Sequence, residues 1–126
     1  MTWNEFAIDL LQAAKVLLSS HPRSSASRSY YAAHIALAKA LEASGYVPDH
    51  PYSTQPHKKQ SKLIGLHLGH LGPMGVKRLR QTMSRLYARR IDSDYVRCVT
   101  IDSAIAIESM RDASAVLMAL GIQETV

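Results

Sequence analysis

Apolar residues recur at intervals of three and four over most of the chain, which is the spacing of one face of an α-helix. Residues 3–19 show this period first, with the apolar positions Trp3, Phe6, Leu10, Ala14 and Leu17. A second helix is predicted to begin near residues 24–27, where serine hydroxyls can cap free N–H groups, and to run to about Ser44. Gly45 is a natural C-terminal stop. Pro22, in the SSHPRSS segment, separates the two helices.

The second half of the chain is divided by proline and glycine. Residues 46–57 hold three prolines without any period, so they are predicted to form a surface loop. A short helix is predicted over residues 58–70, ended by Gly72–Pro73, and a further helix over residues 75–89. The final helix is predicted from about Asp94 to Leu120, stopping at Gly121. Its apolar seam would be Val99, Ala106, Met110, Ala113, Leu117 and Leu120.

These elements predict an all-α protein. No alternating strand pattern longer than three residues and no internal repeat is present. The 126 residues suit one domain, and 47% of them are apolar, mostly aliphatic. We therefore expect residues 1–126 to form a single up-and-down helical bundle of four to five helices.

The cysteine content and the hydropathy of the chain indicate in which cellular compartment we expect the protein. The single cysteine, Cys98, excludes an internal disulfide and a multi-cysteine zinc site, and favours a reducing cytoplasm. The first fifteen residues have no basic segment ahead of a long apolar run, so we expect no secretory signal. No apolar run approaches 18 residues, so we expect no membrane-spanning segment.

Positive charge is concentrated in one part of the chain. The formal net charge is +5, and most of the excess lies between residues 58 and 97, where the only acids are Asp92 and Asp94. The basic residues of this stretch are Lys58, Lys59, Lys62, Lys77, Arg78, Arg80, Arg85, Arg89, Arg90 and Arg97. A local positive field favours an anionic partner such as a nucleic acid.

The stretch SASRSYYAAHIALAKALEASGY, residues 25–46, carries Arg28, Tyr30, Tyr31 and His34 near the start of the second helix. An arginine that fixes a phosphate and a histidine that moves a proton would suit RNA cleavage through the 2′-hydroxyl. Arg28 and His34 are six residues apart, roughly 120° around a helix, so they would converge only with help from a second subunit. The alternative is that Arg28 and the tyrosines tie helices together and His34 lies at the edge of the core.

The stretch RLYARRIDSDY, residues 85–95, combines three arginines with two acids and two tyrosines. Arg85, Arg89 and Arg90 could bind phosphate by bidentate contacts. Asp94 or Ser93 could instead cap the last helix, where an acid suits the helix dipole, and Asp94 could pair with Arg28. Tyr95 completes the cluster, which lies at a predicted junction between helices.

The stretch QPHKKQSKL, residues 55–63, is followed by His67 and His70, a spacing that two metal ligands can share on a helix. No cysteine lies nearby and no acid lies between Asp49 and Asp92, so no ligand shell is completed locally. We expect a solvated basic helix start, without a bound metal or other cofactor. Phosphate loops, HExxH, nucleophile elbows and CxxC motifs are all missing from the sequence.

Three segments together resemble the HEPN domain family: SRSYYAAHIALAKALEASG, PHKKQSKLIG, and LYARRIDSDY leading into a long alanine-rich helix. The resemblance covers nearly the whole chain in the same order and at comparable spacings. It implies a compact helical bundle, commonly a homodimer, in proteins tied to RNA metabolism, toxin–antitoxin pairs and defence.

Many members of the family are metal-independent ribonucleases that use an arginine followed, after four to six residues, by a histidine near the start of the final long helix. The corresponding segment here, Arg90 to Tyr95, has the arginine and no histidine. The spacing occurs only from Arg28 to His34, in helix two. Toxin members regulated by a partner nucleotidyltransferase carry a tyrosine two residues after that histidine, where this chain has Ala36.

Three hypotheses follow. The first is a binding module for RNA or a nucleotide, with a polar site between helix two and the last helix formed by Arg28, Tyr31, Arg90, Asp94 and Tyr95. In this hypothesis, Arg85 and Arg89 would add phosphate affinity. The second is a ribonuclease toxin with His34 as general acid or base and Arg28 or Arg90 holding the phosphate. The third is a bundle that only binds a partner, such as a nucleotidyltransferase-like protein.

Overall fold

The computed structural model describes residues 1–50 and 55–124, and within them the prediction of an all-α bundle is confirmed. It contains five α-helices and one short 3-10 turn, Gly69–Leu71. The helices are α1 (Trp3–Val16), α2 (Pro22–Ala43), α3 (His57–His67), α4 (Gly72–Tyr95) and α5 (Ser103–Ala119). No helix of the described ranges is long and apolar enough to cross a membrane.

The ends of the helices follow local sequence signals. Thr2 and Glu5 form a capping box at the start of α1, in which each side chain accepts from the other's backbone N–H. Pro22 stands in the first turn of α2, where its missing N–H has no cost. Gly45 and Gly121 follow the ends of α2 and α5 with positive φ, the conformation that glycine adopts without strain.

Helix α2 is the centre of the molecule, because it packs against α1, α4 and α5. Its buried face is rich in alanine, which lets the neighbouring helices approach closely. The largest fully buried side chains are aliphatic, as the composition predicted: Leu11, Leu37, Leu41, Ile64, Leu68, Met83, Leu86, Leu117 and Val116. Burial of such side chains contributes about 1.5–3 kcal/mol each before the cost of ordering the chain.

The predicted junction between the last two long helices is wrong. Helix α4 does not end at residue 89 but continues to Tyr95, and α5 begins only at Ser103, after Asp102 has capped it through a 2.9 Å bond from the Ile105 N–H. Asp94 is therefore inside α4 and caps nothing. The predicted seam residue Val99 lies in the connection between the helices, while Ala106, Ala113 and Leu117 are buried as expected.

An arginine of α2 ends helix α4. The Arg23 guanidinium donates to the carbonyl oxygens of Asp92 and Ser93, at 2.9 and 3.1 Å, within the last turn of α4. It also donates to the carbonyl oxygens of the connection that follows, at Val96, Arg97 and Val99. The last carbonyls of a helix lack partners within it. The Asp92 carbonyl also accepts from the Val96 N–H at 3.2 Å, and for the other carbonyls this one side chain supplies the hydrogen bond.

Candidate functional site

Arg90 of α4 holds two tyrosines from different parts of the chain. Its Nη2 donates to the Tyr31 hydroxyl of α2 at 2.7 Å and to the Tyr95 hydroxyl at 3.4 Å. The guanidinium carbon also lies 5.3 Å from the centre of each of these rings, and 5.9 Å from that of Tyr30. Arg90 is therefore surrounded by aromatic faces, an arrangement in which the ring quadrupoles stabilise the cation.

The charge of Arg90 is balanced by Asp94, one helical turn further along. Arg90 Nε lies 2.9 Å from Asp94 Oδ2, but its N–H does not point at that oxygen and makes no hydrogen bond with any described group. Burial lowers the pKa of Arg90, and the neighbouring Tyr31, Tyr95 and Asp94 outweigh this, so the net pKa is raised. Arg90 thus remains a cation, already paired within the protein.

A cleft of about 320 Å³ lies between the start of α2 and the end of α4, beside the Arg90 cluster. Its lining residues are Arg23, Ser24, Ser27, Arg28, Tyr31, Ser93 and Asp94. We call it the α2–α4 cleft. The interhelix ion pair predicted between Arg28 and Asp94 is not formed, because Asp94 instead pairs with Arg90 and accepts from the Ser27 hydroxyl at 3.3 Å. Arg28 is exposed and makes no ion pair or hydrogen bond with a described residue.

His34 faces away from this cleft, into the protein. It is 8% exposed, its ring stacks on Tyr30, and its Nδ1 lies 3.2 Å from the Tyr30 hydroxyl and 3.4 Å from Gln55 Nε2. Burial, together with the positive charges of His57 and Arg90, lowers the pKa of His34 to about 4. His34 is therefore a neutral, buried imidazole at physiological pH, while its proposed partner Arg28 is at the surface.

An aromatic layer joins α2, α3 and α4 behind the Arg90 cluster. The His57 ring, at the start of α3, stacks on Tyr87 with 3.3 Å between ring centres and 11° between planes, and Tyr87 meets Tyr30 edge-on. Burial lowers the pKa of His57, to which the positive charge of Arg90 contributes, although the nearby Gln60 amide raises it. His57 Nδ1 and both Gln60 amide atoms make no hydrogen bond with a described partner. The Gln60 side chain therefore raises the pKa of His57 from a neighbouring position, without a formed hydrogen bond.

Arg85 and Arg89, predicted to add phosphate affinity, instead contact α5. Arg89 donates to Asp112 at 2.8 Å and lies 3.6 Å from Glu108, and Arg85 donates to both oxygens of Asp112 at 3.2 and 3.3 Å. These two arginines are one turn apart on α4 and share a carboxylate, so they join α4 to α5. Their charges are compensated within the chain.

Three residues contribute to this region without a clear signal in the sequence: Arg23, His57 and Tyr87. Arg23 was not singled out, because its carbonyl partners lie about seventy residues further along the chain. His57 and Tyr87 were not linked, since their stacking joins α3 to α4 across the bundle. The one available signal was the period of α4, which places Tyr87 and Arg90 three residues apart on one face.

The predicted histidine pair His67 and His70 does not share a helix. His67 ends α3, where its ring lies 6.0 Å from that of Tyr46, and His70 belongs to the 3-10 turn that follows. Within residues 1–50 and 55–124, no three side chains of His, Cys, Asp and Glu come together as a metal site would require.

No protein-family model matches the chain, and the search of curated proteins found no significant match.

Proposed function

We propose that the protein is a HEPN-like binding module that holds a phosphate group of RNA or of a nucleotide in the α2–α4 cleft. The observation that carries this proposal is the contrast between two arginines. Arg90, beside the cleft, is compensated by Asp94 and fixed by two tyrosines, whereas Arg28 lines the cleft as an exposed cation without an acidic partner among the described residues. An uncompensated guanidinium beside hydroxyl groups is suited to phosphate.

The groups around Arg28 supply further hydrogen-bond donors. Ser24 lines the cleft in the first turn of α2, which has no acidic residue, whereas the nearby Ser27 hydroxyl already donates to Asp94. The Tyr31 hydroxyl accepts from Arg90, so its own O–H remains able to donate to a phosphate oxygen. The N-terminal end of α2 also has the partial positive charge that favours anions. Arg90 is therefore a positioning residue, and Arg28 would make the direct contact.

The surroundings extend the positive field. Because His57 stacks on Tyr87, the start of α3 lies beside the Arg90 cluster. Lys58, Lys59 and Lys62 on this helix are exposed, with no ion pair to any described residue. Exposed Tyr95 adds an aromatic face next to Arg90 on which a base could stack.

The resemblance to the HEPN family adds the biological setting to this proposal: a cytoplasmic homodimer in RNA metabolism, a toxin–antitoxin pair or a defence system. A nucleotidyltransferase-like partner belongs to the same setting. The third hypothesis, a bundle that binds only a protein partner, predicts no RNA binding, so an RNA-binding measurement distinguishes it.

A direct test compares binding of a fluorescently labelled single-stranded RNA by Arg28→Gln and by Arg111→Gln. Arg111 is an exposed arginine of α5 outside the residues that line the cleft, so both changes remove one surface charge. We expect Arg28→Gln to weaken binding about tenfold or more, as loss of a charge-assisted contact of about 1.5–3 kcal/mol requires. Arg111→Gln should change it little. Equal effects of the two changes would contradict a site in the cleft.

The metal-independent ribonuclease remains the alternative function, and the same assay distinguishes it. With Arg28 at the surface and His34 buried and neutral, one protomer does not offer this pair to the same phosphate. We therefore expect the RNA to remain intact without metal. Cleavage by the wild type that His34→Ala abolishes would favour the ribonuclease.

A further inference from the structure

Helices α4 and α5 leave a second groove, which the proposed function does not use. It encloses about 440 Å³ and is lined by Gly75, Arg78, Leu79, Gln81, Thr82, Arg85, Ala115, Val116, Met118 and Ala119. We call it the α4–α5 groove. Small residues, Gly75, Ala115 and Ala119, leave room for a helix to approach, and the Met118 side chain is 77% exposed beside them. No described part of the chain fills this groove.

Basic residues stand along the α4 side of the groove. Arg85 is compensated by Asp112, as described above, but Arg78 is exposed and forms no ion pair within the described ranges. The groove therefore combines an apolar floor with one uncompensated positive charge. A partner that fits it has apolar side chains and an acidic group on the same helical face.

Helix α1 of the same chain has such a face. Trp3, Phe6 and Val16 are exposed apolar side chains, and Val16 is 79% exposed. Asp9 is an exposed acid of this helix with no ion pair to a described residue. Positions 9 and 16 lie about 20° apart around a helix, and position 6 lies about 60° from position 9. Phe6, Asp9 and Val16 thus form one face, which we call the α1 face.

We infer that the α1 face of one copy docks in the α4–α5 groove of a second copy, with Asp9 opposite Arg78. The two surfaces are complementary. The α1 face provides apolar side chains that fit the apolar lining of the groove, and its Asp9 would pair with Arg78. Apolar surface that remains in water on both faces would be buried by the same contact. The inference rests on the homodimer part of the proposed function and names its two surfaces: in a two-fold dimer, the α1 face of each copy would occupy the groove of the other. It does not involve the α2–α4 cleft.

The test uses reciprocal charge reversal, measured by sedimentation velocity over a series of protein concentrations. We expect the wild type to associate, and Asp9→Lys and Arg78→Glu each to weaken the association at least tenfold, because like charges then face each other. An equimolar mixture of the two variants restores opposite charges at every contact and should associate like the wild type. Arg111→Glu, a charge reversal on α5 outside the groove, should leave association unchanged.

Steric blocking provides a second, charge-independent arm. Ala115 is exposed on α5, so Ala115→Tyr fills the groove without disturbing the core, and this variant should stay monomeric alone and when mixed with Arg78→Glu, whose reversed charge repels the intact α1 face. A wild type that is monomeric throughout, or a charge-reversed mixture that fails to associate, overturns the docking. RNA binding measured on the same samples reports separately on the cleft, since neither Asp9 nor Arg78 lines it.

Discussion

Four arginines of this chain have different roles, and their partners decide which. Arg23 donates to backbone carbonyls, Arg89 pairs with acids of α5, and Arg90 is held by Asp94 and two tyrosines. Arg28 has no such partner among the described residues. A guanidinium already satisfied within the protein gains little from a ligand, since the ligand must replace existing contacts. This is why the phosphate-binding role is assigned to Arg28.

His34 gives a prediction at the same scale. Because burial and the charges of His57 and Arg90 lower its pKa to about 4, the unfolded chain binds more protons than the folded one between that value and 6.5. The free energy of unfolding should therefore fall as the pH drops through this window, by about 3 kcal/mol from His34 alone. Urea denaturation at pH 6.5 and at pH 4 measures the change.

The comparison variant is His34→Gln, which keeps a polar side chain and removes the titration. Groups that do not interact with His34 affect both proteins alike and cancel in the difference, whereas the interaction of His34 with His57 is part of what the difference measures. The wild type should lose about 3 kcal/mol more than the variant between the two pH values. If both proteins lose the same free energy of unfolding, His34 titrates as an exposed histidine does. That result would contradict its buried position.

At the scale of elements, the end of α4 shows where local signals mislead. Ser93 and Asp94 are residues that often cap the start of a helix, so the sequence favoured a new helix there. In the structure, the Ser93 hydroxyl donates to the Arg89 carbonyl and Asp94 pairs with Arg90, both one turn back within the same helix. The true end is fixed by Arg23, which is distant in sequence.

This role of Arg23 predicts a loss of stability on substitution. Arg23→Met keeps the aliphatic part of the side chain and removes all its contacts to the end of α4 and the following connection. We expect the free energy of unfolding to fall by about 1.5–3 kcal/mol, the contribution typical of hydrogen bonds from a charged group. Chemical denaturation measures this loss. The matched control is Arg97→Met, an exposed arginine whose side chain makes no hydrogen bond or ion pair with a described residue, and a similar loss there would refute the account.

At the scale of the whole molecule, the bundle was predictable because helical period, proline and glycine are local signals. Tyr31, Arg90, Asp94 and Tyr95 were expected to share a site, and they do lie together, but between α2 and α4 rather than between α2 and the last helix. Their geometry depends on contacts such as the one from Arg90 to Tyr31, 59 residues apart. Which arginines are compensated could not be read from the sequence, because it depends on this packing.

The central claim is that the α2–α4 cleft binds a phosphate group through Arg28. It is tested most directly by the salt dependence of RNA affinity in the wild type and in Arg28→Gln. Phosphate binding releases counterions, so affinity should fall steeply with salt, and loss of one phosphate contact should reduce the slope of log affinity against log salt by about 1. Identical slopes for the two proteins, or an affinity that does not respond to salt, would contradict the claim.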